Sequence, residues 1–503
     1  MPVKMPLKFM PLSAVFLLLA VGPSLAESPS PLSVAEAIRL AVEGNLDLKA
    51  ELYNPAQDEA DIHRYRAIYE PLFAAQTRLG DADFPSYLTA YPAPVRTKSA
   101  QVNASLSQLL ASGATLSLGM NNLYQDTDAP LNPPDVWQSN LGLSLTQPLL
   151  KGFGRENTEI MINVAKLAKA ASLKRLTSRL LDTVAQTRRE YFTLYRLREQ
   201  REVKKVSLEL ARKILAETKS KVEAGVLPAM EILNAEYGVA AREKELLAAE
   251  QQVHDQSDHL RLLLQFDGPG ELVPTDTPRR DLVSEPSQEA IDRAMTRPDI
   301  LERQQELKIG KLQAKFLGNQ TRPDLSLSAS NSLAGQHQRL TRDLENLGGA
   351  NYPTWSVGLN LTYPLGNEAA ENAYRKGLLK NEQTAIQIKA LRQTAANQVG
   401  NALRAVDTEY KQIEVTKRGR AYAESRLQAF IRKNEVGLAT TKDVLDVEND
   451  LAAAKSAQIA ALTDYDNAVT TLWQATGELL DRAGIHLDSH KPDQLYQETT
   501  SQR

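Results

Sequence analysis

Residues 142–149 read GLSLTQPL and residues 358–365 read GLNLTYPL, a phrase written twice with six of eight positions identical. Each copy sits where an alternating, strand-like segment hands over to a long stretch of helical character. A second matched pair follows: residues 221–236 (KVEAGVLPAMEILNAE) align with residues 433–448 (KNEVGLATTKDVLDVE), so that Gly225 faces Gly437 and Leu233 faces Leu445. A third opens each half, with Glu36, Ala37, Ile38 and Ala41 echoed by Glu289, Ala290, Ile291 and Ala294. The chain is therefore two copies of one supersecondary unit, neither able to bury its apolar faces alone.

Prolines mark the long helices by their absence. The chain has 25, yet none lies between Pro148 and Pro228 or between Pro364 and Pro492. Proline removes a backbone donor and clashes with the preceding turn, so long helical tracts are expected in both intervals. In the first, Leu173, Leu176, Leu180, Val184, Tyr191 and Tyr195 recur at steps of three, four or seven, tracing one stripe. At about 1.5 Å per residue such a helix reaches roughly 100 Å, which demands partners along its whole length. Gly225 and Gly437 are placed to close these helices in the left-handed conformation. Pro228 then suits a first helical position, and Thr440 with Asp443 has the spacing of a capping box. Two helical hairpins result, with tips at 225 and 437.

At the opposite ends, residues 141–147, 325–330 and 357–363 alternate with the period of strands. Residues 335–352 form a polar loop between two of them. The first half adds 72–78, 101–109 and 115–120, with a turn at Ser112 and Gly113, which reads as an extra hairpin. Trp137 and Trp355 stand just ahead of equivalent strands, where a membrane-interface girdle and ordinary packing are equal readings. Two or three strand pairs cannot close a transmembrane barrel alone, so the strands must be pooled between chains.

The expected organisation is an export signal over 1–26, a first repeat over 27–267, a connector over 268–286, a second repeat over 287–487 and a loose tail over 488–503. In the signal, Lys4 and Lys8 precede an apolar stretch, and Ser24-Leu25-Ala26 offers a cleavage pattern. No later apolar run reaches the length of a transmembrane helix. Cysteine is absent, which excludes disulfides and thiol chemistry. Without the two signal lysines, 57 basic residues face 62 acidic ones, giving no footprint for nucleic acid.

Enzymatic chemistry finds few candidates. The six histidines include no HExxH, and His486 with His490 could share a face near Asp488 but fit a solvated segment better than a metal site. Lys151-Gly152-Phe153-Gly154 follows a strand and opens a helix, yet lacks the third glycine of a dinucleotide loop and reads better as a joint. Neither an enzyme nor a cofactor or metal site is expected.

Taken together, the LSVAEAIRLAVEGN start at 32–45, the LTQPL and LTYPL segments, the tips EAGV and EVGL and the DVLDVENDL segment at 443–451 resemble the TolC-type outer-membrane channels of efflux pumps and type I secretion systems. The resemblance covers essentially the whole chain after the signal. It implies an α+β fold in which a shared β-barrel in outer-membrane lipid continues into a periplasmic helical barrel. It also implies a homotrimer with twelve strands, working with a periplasmic adaptor and an inner-membrane transporter. The extra hairpin departs from that plan. By resemblance, the tips Ala224-Gly225-Val226 and Val436-Gly437-Leu438 meet the adaptor, although a simple helix stop also explains the glycines. Asp443 and Asp446, one turn apart, match an acidic gate ring, with Glu231 the charge at the corresponding first-half position. Asp443 is equally placed to cap its helix. The position of a gate-locking arginine in the best-known member is Ala439 here. The competing reading is a periplasmic coiled-coil adaptor or scaffold without a pore, which would not need the strands.

Overall fold

The computed structural model describes residues 30–85, 94–128, 135–268, 270–488 and 490–501; the expected signal at 1–26 lies outside them. The first half runs β1 (Ser30–Leu32), α1 (Val34–Gly44), α2 (Leu46–Arg66), β2 (Leu72–Phe84), β3 (Val95–Leu109), β4 (Thr115–Thr127), β5 (Asp135–Pro148), α3 (Arg155–Thr158), α4 (Ile160–Glu223) and α5 (Met230–Leu264). The second runs β6 (Leu272–Pro274), α6 (Ser287–Ala294), α7 (Pro298–Gln320), β7 (Asp324–His337), α8 (Leu340–Gly348), β8 (Pro353–Thr362), α9 (Glu368–Glu435), α10 (Thr441–Thr476), α11 (Leu479–Arg482) and α12 (Lys491–Ser501).

The two halves correspond in their principal helices and in the strand that leads into each long helix, and the first half carries an additional strand pair. Ala37 and Ala41 of α1 are fully buried, and so are Ala290 and Ala294 of α6, as their shared spacing requires. The long helices α4 and α9, of 64 and 68 residues, span about 100 Å each at 1.5 Å per residue. Helices α5 and α10 fold back along them, α4 and α10 pack side by side, and α5 also meets α10 near the tips. Nearer the sheet, α2 and α7 pack on α4, and α7 also packs on α9. The predicted stripe faces these contacts: Leu176, Leu180, Val184 and Tyr191 are buried. Each such side chain contributes roughly 1.5–3 kcal/mol of hydrophobic stabilisation.

Six strands form one antiparallel sheet in the order β2-β3-β4-β5-β7-β8. The extra first-half hairpin is real, and every strand is longer than its alternation suggested. Trp137 and Trp355 lie inside β5 and β8 rather than ahead of them. The expected 335–352 loop is shorter, because β7 continues to His337 and the segment beyond it folds into α8.

Between the halves, β6 pairs in parallel with β1. The hydroxyl of Tyr191 donates to the Leu32 carbonyl (2.9 Å) and accepts from the backbone N–H groups of Thr275 and Asp276 (3.0 Å each). Tyr465 likewise donates to the Asp281 carbonyl (2.6 Å) and accepts from Val283 N–H (3.0 Å). Two tyrosines, one from each half, thus strap the connecting segment over α4 and α10. The C-terminal segment, expected loose, contains α12 packed on α2: Asp493 pairs with Lys169, and Tyr496 stacks on His63 at 5.1 Å. These polar and ring contacts replace the apolar stripe whose absence suggested disorder.

Candidate functional site

The functional geometry has three parts along one axis: the sheet, the joint below it, and the helical tips. The pairing register separates the sheet into two unlike faces. One face carries Phe73, Ala75, Thr77 and Leu79 of β2, paired across to Leu106, Ala104, Val102 and Ala100 of β3. It continues through Leu116 and Leu118, then Leu145 and Leu143, and ends in Val357, Leu359 and Leu361 of β8. Most of these large apolar side chains are exposed. The other face is small and polar, with Ser326, Ser328, Ser330 and Ser332 on β7 and Asn103, Ser105 and Ser107 on β3. An apolar outer band over a polar interior is the pattern of a transmembrane β-barrel wall.

At the end of the sheet away from the helices, the apolar band stops at a row of charge: Asp81 pairs with Lys98, Lys98 with Asp126, and Asp126 with Asp135. One step inside that row, Trp137 packs on Tyr124 with ring centroids 4.9 Å apart. Trp355 lies on the same face at the corresponding start of β8 and is 76% exposed. The turn on the helical side is short, with Gly113 at φ 86°, and the joint that follows places Gly152 and Gly154 at φ 78° and 89°. The Gly152 N–H donates to Asn319 Oδ1 at 2.7 Å, tying the joint to the second half.

The tips are built alike. Gly225 and Gly437 adopt φ 74° and 79°, and in each the residue after the glycine returns a hydrogen bond to the helix: Val226 N–H to Lys221 O (2.9 Å) and Leu438 N–H to Lys433 O (2.8 Å). That pattern closes an α-helix whose end carries a left-handed residue. Pro228 does not begin α5 itself; its carbonyl accepts from Glu231 N–H in a tighter lead-in turn, and the α-helix starts at Met230. Ala224 is the cap of α4. The side chains of Val226, Val436 and Leu438 are left 69%, 69% and 77% exposed. The two tips are also joined within the chain, since Lys221 Nζ donates to Asn434 Oδ1 (3.1 Å) and Asn434 Nδ2 donates to the Ala439 carbonyl (2.9 Å).

Asp443 and Asp446 occupy the first turns of α10. Thr440 and Asp443 form a complete capping box, with Asp443 N–H donating to Thr440 Oγ1 (3.1 Å) and Thr440 N–H to Asp443 Oδ2 (2.8 Å). The hydrogen bonds from Thr440 hold the Asp443 carboxyl below its ordinary value, so it stays ionised through mildly acidic pH. Asp446 is exposed. Glu231 opens α5 as Asp443 opens α10; its Oε2 is shielded from solvent and makes no hydrogen bond among the described residues.

One feature here carries no signal in the sequence. Arg242 of α5 and Glu448 of α10 form an almost wholly buried ion pair (3.2 Å), and Arg242 also donates to the Leu445 carbonyl (2.9 Å). One turn nearer the tip, α5 approaches α10 so closely at Gly238 that an added Cβ would lie 2.6 Å from Leu445 Cδ1. Arg242→Ala should cost about 3–5 kcal/mol by stranding Glu448, whereas Arg242→Met with Glu448→Met should recover most of that loss. Thermal unfolding of the assembled variants checks both.

The descriptions of known proteins agree with this geometry. The family model for outer membrane efflux protein matches residues 88–264 and 291–478. The outer membrane efflux protein BepC of Brucella suis is 24% identical over 360 residues, covering 71% of this chain and 76% of BepC. The pyoverdine export outer membrane protein OpmQ of Pseudomonas aeruginosa is 25% identical over 406 residues, covering 76% of this chain and 81% of OpmQ. In fold, the outer membrane protein VceC of Vibrio cholerae superposes with a TM-score of 0.64 at 16% identity, over 88% of this chain and 96% of that one. The family match spans both repeats and most of the sequence: this chain belongs to the outer membrane efflux protein family, a family of transport channels rather than enzymes.

Proposed function

We propose that three copies of this chain pool their sheets into one outer-membrane barrel and their helices into a periplasmic tunnel, forming the exit duct of an efflux system. The observation that carries the reading is the six-stranded sheet with one apolar and one polar face, left open at both edges and continuous with helices about 100 Å long. Open edges are not tolerated in lipid, and six strands are too few to close. Bare apolar side chains on the helices support the same conclusion: Leu233, Tyr237 and Leu247 on α5 and Leu379, Ile386 and Tyr422 on α9 are exposed. Efflux is favoured over protein secretion by the family and by the export role of OpmQ.

In this reading the tips around Gly225 and Gly437 dock a periplasmic adaptor, which couples the duct to an inner-membrane transporter. Asp443 and Asp446 from three chains gather six carboxylates at the narrow end, with Glu231 adding charge beside them. Trp137 and Trp355 sit in the interfacial region of the membrane. The duct has no chemistry of its own. In fractionated cells the protein should be recovered with the outer membrane and run as a trimer that collapses to one chain on boiling. Recovery as a soluble periplasmic protein would instead establish the scaffold reading.

A further inference from the structure

Four strands per chain would suffice for the twelve-stranded barrel that the resemblance implies, but this chain has six in register. The second half has one strand pair between α7 and α9 and the first has two between α2 and α4, so one pair is additional, and β2–β3 is the pair at the open edge of the sheet.

The hairpin is nevertheless built as barrel wall. At 13 and 15 residues, β2 and β3 exceed the roughly 9–11 needed to cross a bilayer. Phe73, Ala75, Thr77 and Leu79 continue the apolar face, and Asn103, Ser105 and Ser107 continue the polar one. The boundary row of charge begins on the hairpin itself, at Asp81 and Lys98. A hairpin folded over the outside or plugging the lumen would not need both faces matched to its neighbours.

We propose that β2 pairs with β8 of the next copy, so that three copies close an eighteen-stranded barrel and the β2–β3 hairpin widens the outer-membrane pore for bulkier cargo. The inference rests on the trimer proposed above. Its geometry closes: each chain contributes an even number of antiparallel strands, so β2 and the neighbour's β8 run in opposite directions. With strands about 4.8 Å apart and tilted about 40°, eighteen give a backbone diameter of about 36 Å and twelve about 24 Å. The helices below number four per chain at each level, and a ring of twelve at interaxial distances of 8–10 Å is roughly 30–40 Å across. Eighteen strands meet that ring without a step.

The test uses two readouts on the full chain. First, the cysteine-free background allows paired cysteines, with Ala75→Cys or Thr77→Cys on β2 combined in turn with Val357→Cys or Leu359→Cys on β8. Oxidation in membranes should link neighbouring chains covalently, whereas Leu118→Cys on β4 with the same β8 partners should not. Second, electron cryomicroscopy of the detergent-solubilised assembly counts strands directly, with eighteen expected. A trimer with twelve strands, or with β4 linked to β8, would overturn the eighteen-stranded barrel while leaving the shared duct intact. Absence of any trimer would overturn both.

Discussion

Gly437→Asp, and separately Gly225→Asp, should leave the assembled protein in the outer membrane and abolish transport. Nothing lies within 4 Å of a Cβ added at either glycine, so a side chain meets no steric barrier inside the chain. The backbone is the only internal cost: a non-glycine residue at these positive φ angles loses about 1–2 kcal/mol, too little to dismantle helices packed along their length. The larger effect is external. An aspartate adds a charge to a surface made of Val226, or of Val436 and Leu438, and any partner docking there would have to bury it. Gly437→Ala separates the two effects, because it carries the same backbone strain with almost no bulk and no charge. Transport and adaptor crosslinking should survive in the alanine variant and disappear in the aspartate variants. Equal loss in alanine and aspartate would make the backbone conformation responsible, and retained transport in both aspartate variants would end the docking proposal.

The paired substitution Asp443→Asn and Asp446→Asn should change conductance far more than stability. Asparagine preserves side-chain size and keeps an amide oxygen that can accept from Thr440 N–H, so the capping-box pattern can be largely kept while six charges per trimer are removed. Clustered carboxylates favour cations and bind multivalent ones best. In planar bilayers the wild-type channel should prefer cations and be blocked by divalent or trivalent cations added on the periplasmic side, and the double variant should lose both properties. The sign with pH follows from the lowered Asp443 value: ionisation, and with it the cap and the charge, is complete at neutral pH and is lost only as pH falls through that lowered value. Surviving selectivity together with a lower melting temperature would make these residues helix-start stabilisers instead.

What was legible in the sequence is what repeats or what proline forbids. The long helices followed from two proline-free intervals, and the tips from glycines that recur with helix-opening residues behind them. The strands were legible only where apolar and polar residues alternate strongly, as at Leu141–Gln147. Their outer halves were missed because the membrane-side positions there turn polar, through Asp81, Lys98 and Asp126, and the contrast between faces vanishes. A weaker signal extends one such strand: the serines at every second position within 325–330 continue to Ser332, marking a polar wall where the apolar contrast has faded. The Arg242–Glu448 pair had no signal, since its partners lie 206 residues apart and belong to different helices. The C-terminal helix was hidden for a related reason: its docking uses Asp493 and Tyr496, whose partners Lys169 and His63 sit in distant parts of the chain.

The central claim is that one chain holds only a third of a barrel, so its sheet cannot exist in lipid alone. Mass measurement on the purified protein in detergent tests it most directly. The mass should be that of three chains plus bound detergent, with no folded species released when detergent is withdrawn. A folded, monodisperse monomer that stays soluble without detergent would contradict the account.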